Sequence, residues 1–466
     1  MMSNKLIPKK GGELAVQRGN DLVNLTCKLL QSRHMLSDES WMQELWDWAD
    51  KYYIELPRTR EGLLSISILL IDGMSELNRD LNYENPIDEI PSALGKLTSL
   101  TSLTISGCEY LTTLPDCLWQ LANLTTLIIT GCNILPDLPD NLCKLTNLIT
   151  LDLSGLGIAA LPDSLGGLVN LCTLNISGCT NLTALPDSLG QLVNLGALDI
   201  SGCTNLTALP DSLGQLANLI TLNLSNCYSL TTLPNSLGQL TNLITLNISW
   251  CSNSVGILDS EGGLPKIITY KYGRELFTRR GLTILPDSLG NLAKLTELNV
   301  SGCRYLTALP DSLGQLANLK TLGIHACDSL TALPDCLGTL VNITELDISW
   351  GRCLTALPES IGQLVNLTML NLSGCESLTV LPDSLAKLVN LTTINISGCD
   401  SLITLPESLG QFQNLTTLFM SGFDRLNNLP DSLLKLREQG KLNIQRDYIG
   451  EISIKISLSG AWGRKN

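Results

Sequence analysis

The sequence predicts an α/β solenoid, a stack of short strand-and-turn units with a parallel sheet along its concave face. Three observations predict it. A Leu-Pro pair (Ile-Pro in the first case) recurs, with prolines at 91, 115, 139, 162, 186, 210 and 234, then at 286, 310, 334, 358, 382, 406 and 430. The steps are 24 residues, apart from one of 23 (139 to 162) and one of 52 (234 to 286), and a fixed period of this size marks a repeat architecture. Within a unit such as LANLITLNLSNC (216–227), Leu216, Leu219, Leu222, Leu224 and Cys227 fall inward, while Thr221, Asn223 and Ser225 alternate outward with the period of a strand. Finally, aromatic residues make up only 4 % of a chain that is 44 % hydrophobic, so Leu and Ile must fill the core.

One full unit, LTALPDSLGQLANLITLNLSNCYSLTTLP (206–234), carries L-x-x-L-x-L at this spacing. It resembles the leucine-rich repeat family, and the resemblance spans roughly residues 86 to 445. It implies a horseshoe of about fifteen repeats, with strands at roughly 4.8 Å spacing and the Pro-Asp-Ser-Leu-Gly segments turning the chain over the convex side as short 3-10 or helical turns. Ten cysteines (108, 132, 179, 203, 227, 251, 303, 327, 375 and 399) share one phase, where many members of that family carry an inward Asn. The SGC-x-x-L-x-x-LP pattern is similar to repeats of plant intracellular immune receptors and of some bacterial proteins.

Residues 1–62 are expected to form a helical N-terminal cap. Apolar spacing over 13–31 suits a helix, and Ser37 suits an N-cap for a second helix carrying Trp41, Leu45 and Trp48 on one face. That face would cover the open apolar end of the first repeat. The stretch WDWADKYYIELPRTREGLLSI (46–66) resembles the segment preceding the repeats in many bacterial leucine-rich repeat proteins, which implies a bacterial source. The array is expected over 63–440, beginning with a degenerate strand at Leu63, Ile66 and Ile68. Inside the 52-residue step, 257–273 aligns with 233–249, so a decayed repeat is expected over 257–285. It would place Tyr270 and Tyr272 inward and carries a basic cluster of Lys266, Lys271, Arg274, Arg279 and Arg280. Residues 441–466 are expected to close the C-terminal end. Leu442 and Ile444 keep the strand phase, and EISIKISLS (451–459) should pair back as a short β edge.

Composition narrows function. A net charge of −14 opposes general affinity for nucleic acid or anionic lipid. No apolar run approaches a membrane span, and the N-terminus lacks the apolar core of a signal peptide. Phase-locked cysteines read as a structural ladder in a reducing compartment, and sequons such as Asn223-Leu224-Ser225 fall in the strands, where glycans would clash. The expected location is cytoplasmic, with export by a signal-independent route as the variant, and the expected state is a monomer. With two histidines, no phosphate-binding or dinucleotide motif and no metal-ligand spacing, neither catalysis nor a cofactor or metal is expected. Cys117 and Cys336 replace the Ser of Pro-Asp-Ser and read as drift. Some bacterial leucine-rich repeat effectors carry a catalytic ubiquitin-ligase domain after the array, whereas about 25 residues without cysteine follow it here.

Binding has the better case. In the resembled family, ligands meet the outward residues of the concave strands and their edge loops. Here those columns are mostly Thr, Asn or Asp, and Ser, so the exceptions carry information: Trp250, Lys271, Arg274, Glu297, His325, Glu345, Trp350, Met369 and Phe419. Trp250 and Trp350 replace the Gly of Ser-Gly-Cys, and Trp and Arg are typical anchors of interfaces. The bland alternative is neutral drift in a duplicated array. The expected function is a non-enzymatic scaffold that recognises an unidentified protein partner through its concave face. A host-directed bacterial effector or an immune-type sensor fits the resemblance equally, and an ice-binding surface of ordered Thr and Ser ladders is the minor alternative.

Overall fold

A computed structural model describes residues 39–73, 86–135, 138–252, 281–412, 414–420, 430–438, 442–446 and 452–456. Fourteen strands run parallel in sequence order in one open sheet, from β1 (Ile68–Asp72), β2 (Ser102–Ser106) and β3 (Thr126–Thr130) to β14 (Thr417–Phe419). Facing residues match rung by rung, as in Leu222 opposite Leu246 and Leu246 opposite Leu298. The core is the inward Leu and Ile ladder, buried from Leu69 to Leu433. Each fully buried Leu contributes about 1.5–3 kcal/mol before chain entropy is charged.

Each phased proline from Pro91 to Pro406 opens a five-residue 3-10 turn on the convex side, for example Asp187–Gln191 after Pro186. Proline suits that place because its fixed φ, −72° at Pro186, sets the entry and the turn needs no N–H there. The backbone N–H of Leu189 then donates to the Pro186 carbonyl at 3.1 Å.

Strand length follows from one side chain. From β4 (Thr150–Asp152) onward the third strand residue is usually Asn or Asp. Its side-chain oxygen accepts the backbone N–H two residues later, as in Ser201 to Asp199 at 2.8 Å and Ser249 to Asn247 at 3.1 Å. That Asx turn draws the chain out of the ladder after three residues. Leu70, Thr104 and Ile128 hold this place in β1 to β3 and lack that acceptor geometry, so those strands run for five. β10 (Thr321–Gly323) has glycine there and stays short between neighbours that turn.

Eight of the phase-locked cysteines donate their thiols to a carbonyl of the preceding rung, such as Cys203 to Ile176 at 3.2 Å and Cys303 to Ile248 at 3.3 Å. Cys108 and Cys132 instead bond within their own turn, to Ser106 and Thr130. The compact thiol satisfies a buried carbonyl and ties each rung to the one before it.

Three expectations need correction. Leu63 lies in a short helix, α2 (Arg60–Leu64), and the first strand faces its Leu69 and Ile71 inward, leaving Ile68 71 % exposed. One residue of slip exchanges the two faces of a strand. The C-terminal order is β14, β16 (Ile452–Ile456), β15 (Leu442–Arg446), because the antiparallel β16 bonds both neighbours, so 442–446 is the edge. The third concerns the long step. β9 (Glu297–Asn299) pairs directly with β8 (Thr245–Asn247), so 257–285 supplies no rung between them, and fourteen strands run parallel in the ladder. The chain reads across from Cys251-Ser252 to Gly281-Leu282: Ser252 bridges Gly281, and the N–H of Leu282 donates to the Cys251 carbonyl at 3.1 Å. Removing the 28 residues 253–280 from the 52-residue step restores the period of 24. The decayed-repeat tyrosines and basic cluster therefore belong to an insertion, and they lie outside the described residues, as do 13–31 and Ser37.

Both ends of the array are tied by glutamate. In α1 (39–51), Met42, Leu45, Trp48 and Ala49 are buried while Trp41 packs half-buried beside them. Glu44 of α1 accepts the backbone N–H of Ala93 at 3.2 Å in the first 3-10 turn. Far along the chain, Glu407 accepts the N–H groups of Asp431 and Ser432, both at 3.0 Å, at the start of α3 (Asp431–Glu438). These bonds lower the Glu407 pKa, led by the Ser432 backbone. Leu434 stands where most repeats have Gly, which lets this turn continue as a helix.

Candidate concave-face binding site

The concave face presents three outward columns and an edge column. Over β4 to β8 the columns are nearly uniform: Thr or Ala, then Asn or Asp, then Ser. Their polar groups are largely occupied within the sheet. Besides the Asx turns, the Asn175 amide donates to Asp152 at 3.0 Å and the Asn223 amide to Asp199 at 3.1 Å. A second asparagine ladder lies ahead of the strands, where Asn194, Asn218 and Asn242 each donate to a carbonyl of the previous repeat at 2.8 Å. Repetition alone did not reveal that this residue stitches rungs together.

The edge column needs a left-handed backbone, with φ of +71° at Gly202 and +73° at Gly302. Glycine adopts this without strain. Trp250 and Trp350 hold it at +59°, where an L side chain costs about 1–2 kcal/mol. What compensates is packing on the next rung. A Cβ built on Gly302 would fall 2.5 Å from the Trp250 ring, and one on Gly374 would fall 2.9 Å from the Trp350 ring. Each indole thus lies across the bare backbone of the following glycine, while 39 % and 49 % of the two residues stays exposed.

The structure brings several of the candidate residues together. Trp250 meets His325 edge to face, with centroids 6.0 Å apart, although 75 positions separate them in sequence. Glu297, Thr321, Glu345 and Met369 occupy one column on successive strands β9, β10, β11 (Glu345–Asp347) and β12 (Met369–Asn371). Phe419 is exposed in the neighbouring column of β14, two rungs beyond β12 and apart from this group. Lys271 and Arg274 lie outside the described residues.

Sequence reasoning missed four neighbours. Gly323 interrupts the Asn/Asp column, and Asn299 leans into the space, its oxygen 2.6 Å from where a Cβ would stand. Aligning the repeats would have exposed this gap. Asp347 adjoins it on β11. Along the edge, Arg304 lies 3.8 Å from Asp328, and Arg352 lies 3.3 Å from Glu376 while its guanidinium sits 5.8 Å from the Trp350 ring centroid. Burial raises the Asp328 pKa, and the nearby Arg304 and Arg352 oppose that rise.

Burial pushes the Cys227 and Cys303 thiols up to about 12, which keeps them protonated, and it raises Cys117 and Cys336 as well. A protonated thiol is a poor nucleophile and a poor metal ligand. Among the described residues no three His, Cys, Asp or Glu side chains converge as a metal site, and no helix is long and apolar enough to cross a membrane.

Comparison with known proteins agrees with the geometry. A family model described as a leucine-rich repeat region matches residues 139–261, and one described as a leucine rich repeat matches 294–316 and 366–388. The array is built of leucine-rich repeats. Among solved structures, a TDR receptor is 22 % identical with a TM-score of 0.51, covering 78 % of this chain and 64 % of that one, and it shares the leucine-rich repeat fold. A Leptospira interrogans leucine-rich repeat protein is 25 % identical, covering 76 % of this chain and 91 % of that one with a TM-score of 0.45. A Listeria monocytogenes internalin is 22 % identical, covering 72 % and 88 % with a TM-score of 0.45. No curated protein matches. The leucine-rich repeat fold suggests a scaffold for protein–protein interaction.

Proposed function

We propose that this protein is a non-enzymatic recognition scaffold whose concave face binds a protein partner at β8 to β12. One observation carries the reading. Between β4 and β13, the large departures from the repeat (Trp250, Glu297, Gly323, His325, Glu345, Trp350 and Met369) all fall on these five adjoining strands. Drift would scatter them. Two exposed indoles held at positive φ supply the rigid aromatic area that anchors interfaces, and the surrounding uniform columns supply a flat polar rim. Among the described residues the only histidine, His325, faces Trp250, which fits a contact role better than acid–base work.

Crosslinked capture from source-cell lysate tests this, comparing the natural chain with Trp250→Gly/Trp350→Gly. Glycine is what most other repeats carry at this position, with Asn226 and Ala326 as the exceptions, so the fold is kept. A partner retained by the natural chain and lost by the variant is the expected result. Equal capture by both would remove the site from this window.

A further inference from the structure

We propose that the partner presents an extended basic segment, and that one of its lysine or arginine side chains seats over Gly323 among Glu297, Glu345 and Asp347. This rests on the binding reading above and specifies the partner's chemistry at the same face.

The carboxylates of the window differ from those of the uniform array in what they touch. Asp152 and Asp199 each accept an amide from the next rung. Asp347 accepts only the backbone N–H of Ser349, at 2.9 Å, among the described residues. Glu297 receives a single long bond from the Thr245 hydroxyl at 3.5 Å, and Glu345 makes no ion pair among the described residues. Among the described residues no cation forms an ion pair with these three. Arg304 and Arg352 pair with Asp328 and Glu376 on the edge, Lys294 donates to Asn242 at 2.7 Å, and Lys320 lines a separate groove with Asn342 and Thr344. Among the described residues the face thus presents three carboxylates without an ion pair, in a chain whose net charge is −14.

Shape agrees with charge. Glu297 and Glu345 flank Thr321 two rungs apart, about 10 Å, a span that two flexible glutamates can close around one ammonium or guanidinium. Above Gly323 the Asn299 side chain leans across from the neighbouring rung, its oxygen 2.6 Å from where a Cβ would stand, so a long basic side chain seated there meets an amide oxygen beside Asp347. Trp250 and Trp350 stand three rungs apart, about 14 Å, which an extended segment of about four residues spans. Charge-assisted hydrogen bonds of this kind are the strong ones, and a bidentate carboxylate pairing favours arginine over lysine.

The test is fluorescence anisotropy on the full chain with a labelled ten-residue Gly/Ser peptide carrying a central Arg-Ser-Arg. The matched peptide has citrulline at both arginines. The variants return the window to the residues of the array, Glu297→Thr/Glu345→Thr and Gly323→Asn, so the fold is kept and thermal unfolding verifies it. The control Asp187→Asn/Asp211→Asn removes two charges from the convex turns. We expect the arginine peptide to bind the natural chain, with affinity falling about tenfold or more in the glutamate variant and in the citrulline peptide. Gly323→Asn should weaken binding too, and the convex control should retain it. Equal binding of citrulline, equal loss in the control, or no arginine binding up to about 1 mM would overturn the proposal. A captured partner that survives Glu297→Thr/Glu345→Thr but is lost with Trp250→Gly/Trp350→Gly would overturn it while leaving the scaffold reading standing.

Discussion

Strands β4 to β7 and strands β9 to β12 share one interior and differ on one surface. Leu222 in the first block and Leu322 in the second are equally buried, and thiol bonds join the rungs of both. Outside, the first block spends its polar groups on itself through Asx turns and amide-to-carboxylate links. The second block breaks that economy with two glutamates, a missing side chain at Gly323 and an indole at each flank. A repeat protein can alter its face without touching its core, because inward and outward residues alternate along every strand.

Four measurements sharpen or break this comparison. The largest effect should be the same in both blocks. Leu222→Ala and Leu322→Ala should each cost about 2–5 kcal/mol in urea unfolding, with values differing by no more than about 1 kcal/mol. A much smaller cost at Leu322 would show that the window has a looser core.

The next effect should differ between the blocks. Gly202→Ala puts a Cβ at φ +71° with its nearest neighbour, the Gly178 nitrogen, at 3.4 Å, so it should cost about 1–2 kcal/mol from backbone strain alone. Gly302→Ala should cost more, because its Cβ would also strike the Trp250 ring at 2.5 Å. Adding Trp250→Gly should bring that cost back to the Gly202 level. Equal costs at the two glycines would mean that the indole yields freely.

Returning Trp250 and Trp350 to glycine should change stability by less than about 1 kcal/mol each, since relieved strain offsets lost packing. A loss of several kcal/mol would make the tryptophans structural.

The smallest effect belongs to single thiols. Burial raises Cys227 and Cys303 from 9.0 to about 12, so the folded state holds those protons more tightly than the unfolded chain does. Their contribution is full below pH 9 and falls as pH rises toward about 12. Cys227→Ala and Cys303→Ala should each make the alkaline decline of the urea midpoint slightly shallower, by one group. A midpoint that rises above pH 9 would reverse the sign.

The parts of this molecule set by repetition were legible in its sequence. The Leu-Pro spacing and the phase of Cys203 or Leu222 follow from a periodic demand, one buried side chain per turn, so the array, its concave sheet and its convex turns could be read directly. Elements outside the period were harder. The slip that placed Ile68 inward came from a strand with Leu70, rather than Asn or Asp, at its third position. The 52-residue step was read as a repeat because 257–273 shares leucine spacing with 233–249, whereas register places Leu298 against Leu246. Candidate residues on the face could be named from the repeat, but their grouping could not. Trp250 and His325 meet only because β9 pairs directly with β8, and Trp250 lies flat only because Gly302 follows on the next rung.

The central claim is that β8 to β12 bind and the rest of the ladder carries them. Its most direct test is crosslinked capture with a chain whose window is returned to the array by Trp250→Gly, Glu297→Thr, Gly323→Asn, His325→Ser, Glu345→Thr, Trp350→Gly and Met369→Thr. We expect this chain to melt close to the natural one and to lose the partner. A chain that melts normally and still captures the same partner would contradict the account.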